Sequence, residues 1–385
     1  MLRAAFLFGS GISKASGAPM VDQISKTVLD GGWEDHTSMR FCWTEKESTG
    51  QAAKAQQFLR LLNSYIEPHI KLREARETNY EDLHAAALQI SQDETSELVN
   101  PMLRGSLADL RAKAANLYDG ETGDPHGNPF VSLVERATNL IDWAVVHCLI
   151  HLQKPIGMSA ITAVAKATER LDIFSVNHDL LIERQFEAIQ MPFADGFGQR
   201  EGDVRKFAWS WDPSVPVRLY KLHGSIDWYP FNFPNGERQF ARVLGKNTGL
   251  VGDPEHSKDE TGTYLSLTNN VPLILAGTTD KERRYGFGLP GEIFFEVHKQ
   301  LQNHHTLICS GYGWADKGIN NKIGQWLSRD AGNKLVLLHE TPEEIMKKRF
   351  WTHRWARNQE MGKIVVIRKW LQDCTIDDLS PFFDE

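Results

Sequence analysis

A histidine and an asparagine each follow a short apolar run that is typical of a buried strand. His223 comes directly after residues 217–222, and Asn177 comes directly after residues 171–176. A histidine is the side chain best suited to move a proton near neutral pH, and an asparagine amide can hold a water or a hydroxyl because it both donates and accepts. Since ligands of open α/β sheets bind at the carboxyl ends of the strands, we expect both side chains to line a ligand site.

A turn rich in glycine and serine follows the first apolar run of the chain, at residues 4–8. Its sequence is GSGISKASGAP, beginning at Gly9. Glycines let a backbone approach an anion, and the N–H groups at the start of a following helix can bind it. However, Lys14 stands where the fingerprint GxGxxG needs a glycine, and GxxxxGK[ST] is absent. The turn is therefore either a phosphate site or a tight strand-to-helix connection without a ligand.

Short apolar runs alternate with helix-like segments over much of the chain. Continuous rather than alternating apolar runs are typical of strands in a parallel sheet that is covered on both faces. The predicted strands are residues 4–8, 171–176, 217–222, 272–276, 306–309 and 334–339. The predicted helices are residues 21–29, 179–189, 291–302 and 316–327. This order predicts an α/β fold, with a Rossmann-like parallel sheet and helices on both faces.

The stretch between the first two strands has a different pattern. From residue 33 to residue 168 apolar residues recur at spacings of three and four, which predicts a large helical insertion subdomain. We expect residues 1–32 and 169–340 to form the domain around the sheet. Residues 341–385 form a C-terminal tail, with a helix and a strand near 363–368, whose packing the sequence leaves open. Residues 232–263 are rich in Gly, Asn, Pro and charge, which predicts a long irregular excursion.

Composition and charge exclude several classes of protein. The chain has 385 residues, with 50 acidic and 43 basic side chains, so direct nucleic-acid binding is not expected. The most apolar segment, residues 140–152, is shorter than the roughly 20 apolar residues of a membrane span. The 4 cysteines form no CxxC pair, and the first residues lack the features of a secretory signal. We expect a cytoplasmic, reduced protein that does not bind membranes.

Four motifs, taken in order, resemble those of the sirtuin family. GSGISKASGAP is similar to the GAGxSxxSGxP signature that opens that family. FSVNHDLLIE is similar to its TxNxDxL segment, KLHGSIDW to its LHG segment with the catalytic histidine, and SGYGWADKGI to its later G-[ST]-S or GYSxxD turn. The resemblance covers residues 3–30 and 170–340 and leaves the helical insertion and the tail uncovered.

The resemblance implies that NAD⁺ is the substrate and gives residues of each motif a role. It implies that His223 acts as the base and that Asn177 orients a water and the ribose, so these two are the predicted catalytic residues. The predicted NAD⁺-binding residues are Gly9, Ser10, Gly11, Ile12, Ser13, Asp179, Gly311, Tyr312 and Glu340. Backbone donors of residues 9–13 would hold the pyrophosphate, Asp179 would line the nicotinamide-ribose pocket, and Glu340 would lie in the adenine-side loop.

Some of these positions also have ordinary structural interpretations. Asp179 and Asp316 each stand where an aspartate can cap a helix, and for Asp316 capping is the favoured role. His223 could be a strand-end histidine bonded to backbone. Gly313 stands where the family usually has a serine, so a ribose contact at this turn would have to come from backbone N–H groups.

Two departures separate the chain from the protein-deacylating sirtuins. Those enzymes carry a four-cysteine zinc module, which this chain lacks. They also continue with GIPDFR after the first motif, where this chain has MVD from Met20. Both features help to present an acyl-lysine peptide, so the resemblance points to the zinc-less NAD⁺ hydrolases of bacterial antiphage defence. His147 and His151 share one face of a predicted helix without a further ligand, and no metal is expected.

The expected activity is NAD⁺ glycohydrolysis, which gives nicotinamide and linear or cyclised ADP-ribose and depletes NAD⁺ during antiphage defence. The alternative is a non-catalytic regulatory or assembly module that binds NAD⁺ or ADP-ribose. Protein deacylation or ADP-ribosyl transfer would require an acceptor peptide. Because an uncontrolled NAD⁺ hydrolase would poison its cell, some control is expected, and the resemblance implies a homo-oligomer and, in some members, a HerA-type ATPase partner.

Overall fold

The chain divides into two units in the computed structural model, which describes residues 2–37, 40–95, 101, 104–118, 127–209, 211–245, 252–347, 351 and 355–385. The sheet unit comprises Met1–Ala18, Leu149–Leu275 and Lys281–Glu385. The helical unit comprises Pro19–Cys148 and Ala276–Asp280. Among the described residues, none of the helices combines the length and the apolar character that crossing a membrane requires.

The described residues form strands and helices as follows. The strands are β1 (Arg3–Phe8), β2 (Gly32–Thr37), β3 (Arg40–Thr44), β4 (Arg170–Ser175), β5 (Phe193–Ala194), β6 (Phe197–Glu201), β7 (Val204–Phe207), β8 (Val217–Lys221), β9 (Trp228–Asn232), β10 (Arg238–Val243), β11 (Ser266–Leu267), β12 (Thr306–Ser310), β13 (Lys334–Leu338) and β14 (Ile364–Ile367). The helices are α1 (Val21–Asp30), α2 (Gly50–Glu74), α3 (Tyr80–Glu94), α4 (Arg104–Tyr118), α5 (Pro129–Ile150), α6 (Ser159–Ala167), α7 (Leu181–Ala188), α8 (Thr278–Arg284), α9 (Gly288–Leu301), α10 (Lys317–Arg329), α11 (Pro342–Met346), α12 (Trp355–Glu360) and α13 (Ile376–Leu379).

The sheet unit is built on a seven-stranded sheet with the order β14-β13-β12-β1-β4-β8-β5, and each neighbouring pair is parallel. Its central strands are apolar along their whole length; in β1, for example, every residue from Ala4 to Phe8 is buried. A strand covered on both faces needs apolar residues at successive positions rather than at alternate ones. The sheet is flanked by helices, which confirms the predicted α/β, Rossmann-like fold.

The order of the strands creates a switch point beside β1. From β1 the chain continues to β4 and β8 on one side of the sheet and then crosses to β12, β13 and β14 on the other. Because all the strands are parallel, their carboxyl ends share one edge. Ligands of open α/β sheets bind outside that edge where the strand order reverses, so the turns after β1 and β12 occupy the expected position.

The predicted strand at residues 272–276 is not part of the central sheet. Residues 273–275 run antiparallel to residues 223–225 instead, with the Ser225 N–H donating to Leu273 O (3.0 Å) and the Leu275 N–H donating to His223 O (2.9 Å). The run is apolar because Leu275 and its neighbours are buried, and burial alone does not reveal which strand is the partner. The other predicted strands agree with β1, β4, β8, β12 and β13 to within one residue at each end.

A second sheet in this unit, with the order β11-β9-β10-β7-β6, was not predicted. Its neighbouring strands are antiparallel. The prediction of an irregular excursion over residues 232–263 is wrong for residues 238–243, which form β10. Ala241 in β10 packs with Tyr229 and Phe231 in a separate apolar cluster. The sequence did not predict β10 because only its last three residues are buried, and so short an apolar pattern does not identify a strand.

The helical unit contains helix α1, which the sequence-based boundary at residue 32 placed with the sheet. Backbone groups of this helix bind side chains of the next helices: Gln56 Nε2 donates to Val28 O (3.1 Å), and Arg60 Nε donates to Leu29 O (2.8 Å). These contacts group α1 with α2, so the division falls after Ala18. The unit also contains the hairpin β2–β3, which the helical pattern of the region did not predict.

The predicted boundary at residue 168 also differs from the structure, and the packing of the tail, which the sequence left open, is now defined. Helix α6, predicted within the insertion, lies in the sheet unit, where Gln185 Nε2 of α7 donates to Thr162 Oγ1 (2.7 Å). The tail 341–385 supplies strand β14 to the edge of the central sheet. Near its end, the Asp384 and Arg3 backbones exchange two hydrogen bonds of 2.8 Å. The tail is therefore an integral part of the sheet unit.

Candidate functional site

Four of the predicted site residues lie along one edge of the central sheet. Gly9 and Gly311 directly follow β1 and β12, while Asn177 and His223 lie two residues beyond β4 and β8. The strands stay paired up to this edge, since the Leu222 N–H donates to the carbonyl of the last residue of β4 (2.8 Å). Asn177 and His223 are therefore level with each other on neighbouring strands.

The glycine-rich turn forms a 3-10 helix, Ser10–Ser16. Three of its backbone N–H groups donate within the protein: Gly9 to Ser310 O (3.1 Å), Gly11 to Gly311 O (3.0 Å) and Ile12 to Gly9 O (3.2 Å). These three amides belong to the set that was predicted to hold a pyrophosphate. In the folded chain they are already engaged, so a bound diphosphate would have to find other donors.

The close approach of two strand-end turns explains why glycines stand here. A Cβ atom on Gly9 would lie 2.5 Å from Gly311 O, and one on Gly11 would lie 2.6 Å from Gly311 Cα. Gly311 itself has a φ of 67°, a left-handed conformation that residues other than glycine rarely adopt. Backbone packing therefore accounts for these glycines without a ligand, as in the alternative interpretation of the turn.

A buried hydrogen-bonded chain connects the glycine-rich turn with the end of β4. Asn177 Nδ2 donates to Ser13 Oγ (3.1 Å), and Ser13 Oγ donates to Asp179 Oδ2 (2.8 Å). The other Asp179 oxygen accepts the N–H of Leu181, the first residue of α7 (3.0 Å). Asp179 thus binds both the helix terminus and Ser13, and it fixes the orientation of the Asn177 amide through Ser13.

The side-chain oxygen of Asn177 stands out among these groups. Asn177 is only 4% exposed, and none of the described residues donates a hydrogen bond to its Oδ1. Leaving a buried acceptor unpaired costs about 1–3 kcal/mol, so such atoms usually bind a water or a ligand. Because Nδ2 is held by Ser13, the amide presents its acceptor side for that purpose.

His223 belongs to a compact cluster with an aspartate and a tyrosine. Its Nε2 lies 2.9 Å from Asp316 Oδ2 and 2.9 Å from the hydroxyl of Tyr285. The Tyr285 hydroxyl in turn donates to Asp316 Oδ2 at 2.6 Å. His223 and Asp316 are both buried. An imidazole held by a carboxylate is the arrangement that general bases use in many hydrolases.

Asp316 has two roles, one for each oxygen. Its Oδ1 accepts the N–H of Ile319 (3.0 Å) and so caps helix α10, as the sequence predicts. Its Oδ2 binds His223 and Tyr285. Burial by itself raises the pKa of Asp316, but the hydrogen bond and charge of His223, the Tyr285 hydroxyl and the Ile319 N–H together lower it to about 2. Asp316 is therefore an anion at neutral pH.

Tyr285 was not predicted, because it lies outside the four motifs and reaches His223 only through the tertiary fold. Its ring stacks on Phe294, with ring centroids 4.0 Å apart and planes at 10°. On the other side it packs against Gly318, where an added Cβ would lie 2.8 Å from the tyrosine ring. These two contacts fix the direction of the hydroxyl.

Behind His223 the turn is anchored by a buried lysine, Lys221. Its ammonium group donates to Asp179 O (2.5 Å), Glu183 Oε1 (3.0 Å) and Ser225 Oγ (2.8 Å). Burial raises the pKa of Glu183, and the positive charge of Lys221 partly opposes that increase. These bonds join the end of β8 to the start of α7, so the segment that carries His223 is tied to the segment that carries Asp179.

His178 is a second histidine of the site that the candidate residues omit. Its ring centroid lies 6.1 Å from that of His223, and the side chain is buried. Burial, followed by electrostatic interactions with His223, Lys281 and Lys221, places the pKa of His178 well below its usual value. It is therefore neutral at physiological pH. The sequence signal was its position inside the TxNxDxL-like segment, between the two polar residues that were singled out.

Two predicted NAD⁺-binding residues, Tyr312 and Glu340, form hydrogen bonds with residues outside the cluster of Ser13, Asn177 and Asp179. The hydroxyl of Tyr312 donates to Asn320 Oδ1 (3.0 Å), and its ring packs against Trp314, which fastens the turn after β12 to α10. Glu340 is exposed beyond β13, two strands from β1, where Trp370 Nε1 donates to its carboxylate (3.1 Å). Ser10 is exposed at the start of the 3-10 helix. The structure thus joins Ser13, Asn177 and Asp179 directly, but not Glu340.

Within the described parts of the chain, no group of three or more His, Cys, Asp and Glu side chains is arranged to hold a metal ion. In the helical unit the ring of His147 stacks on Trp43, with centroids 4.6 Å apart. No protein-family model matches the chain, and no curated protein matches it. The resemblance to sirtuins consequently depends on the four motifs and on the strand ends where they lie.

Proposed function

We propose that the chain is an NAD⁺ glycohydrolase, which cleaves the nicotinamide–ribose bond to give nicotinamide and ADP-ribose. The observation that carries the proposal is the pairing of two groups at neighbouring strand ends. One is the buried, unpartnered Oδ1 of Asn177, and the other is the imidazole of His223 held by Asp316. The family resemblance supplies the identity of the substrate.

Each group matches a requirement of this reaction. Cleavage of a bond to the anomeric carbon of ribose passes through a cation-like state. The carboxylate of Asp316, ionised and buried near His223, favours positive charge in its surroundings. Asn177 Oδ1 accepts a hydrogen bond from the attacking water or a ribose hydroxyl, and His223 removes the proton as general base. Prepositioned groups of this kind replace the solvent reorganisation that the uncatalysed reaction needs.

The biological role we propose is depletion of NAD⁺ in antiphage defence, and it depends on the resemblance alone. The same resemblance is the basis for expecting a homo-oligomer, with a HerA-type ATPase as the partner that controls turnover. Measurement of the native mass together with NAD⁺ turnover, with and without such an ATPase, tests this part of the proposal separately from the chemistry.

The chemistry is tested by incubating the purified protein with NAD⁺ and measuring released nicotinamide by chromatography. His223→Ala and Asn177→Ala should each lower the rate by about 10³-fold, the range in which a general base or an orienting group contributes. His256→Ala, at an exposed histidine whose Nδ1 lies 2.7 Å from Asp253 Oδ2, is the matched control and should retain full activity.

The outcomes separate the alternatives. Undiminished release in both site variants would contradict the assigned roles. Stoichiometric binding of NAD⁺ or ADP-ribose by the wild-type protein, without release of nicotinamide, would instead identify a binding module. Release that needs an acyl-lysine peptide or another acceptor would indicate deacylation or ADP-ribosyl transfer.

A further inference from the structure

We propose that His178 is a further substrate-binding residue, and that its Nδ1 and the Oδ1 of Asn177 together bind the two adjacent hydroxyls of the ribose from which nicotinamide leaves. The identity of that sugar rests on the proposed function. The involvement of His178 rests on the surroundings of its own side chain, which the four motifs did not single out.

The imidazole of His178 contains a buried atom without a hydrogen bond. Only 8% of the residue is exposed, and none of the residues that the structure describes forms a hydrogen bond with Nδ1. Folded proteins rarely leave a buried polar atom unpaired, because the atom loses its hydrogen bonds to water and gains nothing in return. Such an atom marks a place where a water or a ligand binds.

The backbone of His178 is held from the neighbouring strand end. Its carbonyl accepts the N–H of Ile226 (3.1 Å) and the hydroxyl of Ser225 (3.3 Å). Ser225 Oγ in turn accepts from the ammonium group of Lys221 (2.8 Å). The imidazole centroid lies 6.1 Å from that of His223. His178 therefore lies beside the proposed general base, on a backbone that hydrogen bonds fix in place.

Asn177 supplies the second atom, one residue earlier in the chain. Ser13 Oγ gives its single proton to Asp179, so it must accept from Nδ2 of Asn177, and the amide cannot exchange its two ends. Oδ1 is thus fixed as an acceptor, and it has no donor among the described residues. Consecutive residues lie about 3.8 Å apart along the backbone, so one small ligand can reach both side chains.

The chemistry of the two atoms favours a ligand with hydroxyl groups. Asn177 Oδ1 only accepts, so it needs a donor, and an ionised phosphate or carboxylate has none. Nδ1 of a neutral imidazole accepts or donates according to the tautomer, and a hydroxyl group can meet either requirement. The adjacent hydroxyls of a ribose offer one group to each atom. A vicinal diol therefore satisfies both side chains at once.

The charge of His178 suits a position near the reacting carbon. Burial is the main reason why its pKa lies well below the usual value, so the ring is neutral at physiological pH. A neutral ring binds a hydroxyl without adding positive charge beside a ribose that becomes cation-like as the bond to nicotinamide breaks. A protonated histidine in the same place would oppose that state by repulsion.

The test measures binding of two NAD⁺ analogues that the protein cannot cleave. In the first, a dihydroxycyclopentane replaces the nicotinamide ribose and keeps the diol; in the second, the ring lacks both hydroxyls. Titration calorimetry with each analogue compares the wild type with His178→Phe, which keeps a planar ring without nitrogen atoms. We expect loss of the diol to weaken binding to the wild type about 10-fold more than binding to His178→Phe, the effect of one buried hydrogen bond.

Two further variants locate the contact on the imidazole. The amide atoms of asparagine are two bonds from Cβ, as Nδ1 is, whereas those of glutamine are three bonds away, as Nε2 is. We therefore expect His178→Asn to recover most of the discrimination between the two analogues and His178→Gln to recover little. If His178→Phe does not fold, the comparison of these two variants provides the test by itself.

The kinetics of NAD⁺ cleavage give an independent measure. A hydroxyl that is bound equally before and during bond breakage affects KM rather than kcat. We expect His178→Phe to raise KM by about 10-fold with little change in kcat, whereas His223→Ala lowers kcat. A fall in kcat with unchanged KM in His178→Phe would contradict a role in binding the substrate.

The outcomes separate this inference from the proposed function. Equal weakening of the wild type and His178→Phe on loss of the diol would mean that Nδ1 binds water instead, and it would overturn the inference even if nicotinamide is released. The expected discrimination without nicotinamide release would uphold the inference and overturn the proposed function. Failure of the wild type to bind the analogue with the diol would overturn the inference, and absence of nicotinamide release from the same preparation would overturn the proposed function as well.

Discussion

Two buried histidines lie at opposite ends of the strands of the central sheet, and both bind aspartates. His304, just before β12, uses both ring nitrogens: Nε2 lies 2.8 Å from Asp172 Oδ2 and Nδ1 lies 3.0 Å from Asp384 Oδ2. His223, just beyond β8, has Nε2 at 2.9 Å from both Asp316 Oδ2 and the hydroxyl of Tyr285. A buried histidine–aspartate pair is therefore not by itself a sign of a catalytic site. What matters is the end of the strands at which the pair lies, because ligands of open α/β sheets bind at the carboxyl ends.

The electrostatics of His304 suit a structural role. Burial lowers its pKa, but the hydrogen bonds of Asp172 and Asp384 outweigh this effect and leave the pKa raised. Burial similarly raises the pKa of Asp172, while the bond and charge of His304, followed by Arg170, leave it lowered. A buried histidine held by two carboxylates thus joins the last residues of the chain to β4. We infer that this cluster stabilises the fold rather than supporting chemistry.

Replacing His304 should produce the largest change in stability. In His304→Ala two buried carboxylates lose their shared hydrogen-bond partner, and we expect the free energy of unfolding to fall by about 3 kcal/mol. Urea denaturation measures this loss. The matched control is His305→Ala, whose exposed side chain has Nδ1 at 3.1 Å from Asn333 Oδ1. Equal, small losses in both variants would contradict the structural role, and nicotinamide release from the folded fraction of His304→Ala should stay normal.

The substitution Gly318→Ala, near His223, should affect activity more than stability. In Gly318→Ala the new Cβ would lie 2.8 Å from the ring of Tyr285 and displace it from His223. We expect turnover to fall by about 10-fold, the scale of one hydrogen bond to a charged group. Unfolding free energy should change by no more than about 1 kcal/mol, since alanine favours a helix over glycine. Gly313→Ala, where the added Cβ meets open space, is the control, and wild-type turnover in Gly318→Ala would contradict the role of the tyrosine's position.

The smallest effect we predict is a pH dependence of the His304 cluster. The pKa of His304 is raised above its usual 6.5, so its stabilisation is complete below pH 6.5 and is lost as the pH rises through the folded-state value. The pKa of Asp172 is lowered below its usual 3.8, so its contribution is present above pH 3.8 and is lost as the pH falls through the folded-state value. The stability difference between wild type and His304→Ala should thus be largest between these two values.

At alkaline pH that difference should shrink, because the raised pKa of His304 no longer contributes once the imidazole is neutral. Urea denaturation of both proteins at a series of pH values checks this expectation. A difference that stays constant from mildly acidic to alkaline conditions would show that His304 acts through packing and neutral hydrogen bonds rather than through charge.

The parts of the fold that could be predicted are those with a local cause. Strands covered on both faces need continuous apolar runs, which is why β1, β4, β8, β12 and β13 were found with nearly correct ends. The boundaries between the two units were harder to predict from the sequence. Helix α1 follows the first motif directly, but its partners are Gln56 and Arg60, and no local pattern reveals where a helix will pack.

The site likewise contains residues that local sequence predicted and roles that only the tertiary fold revealed. His223 and Asn177 were found because each follows a strand, and parallel strands bring such residues to one edge. Asp316 was found only as a helix cap, since that function depends on a residue three positions away. Its second function depends on His223, at a separation of 93 residues in the chain, and so does the contribution of Tyr285.

The sequence by itself determined the class of fold, the strand ends that carry polar side chains and the capping of α10, because periodicity and caps are properties of neighbouring residues. Only the tertiary structure decided that Nε2 of His223 lies beside the carboxylate of Asp316. It also decided that the backbone N–H groups of Gly9 and Gly11 donate to backbone carbonyls of the turn after β12. Those outcomes depend on strand order and on the approach of distant turns, and such long-range pairings leave no trace in any single stretch of residues.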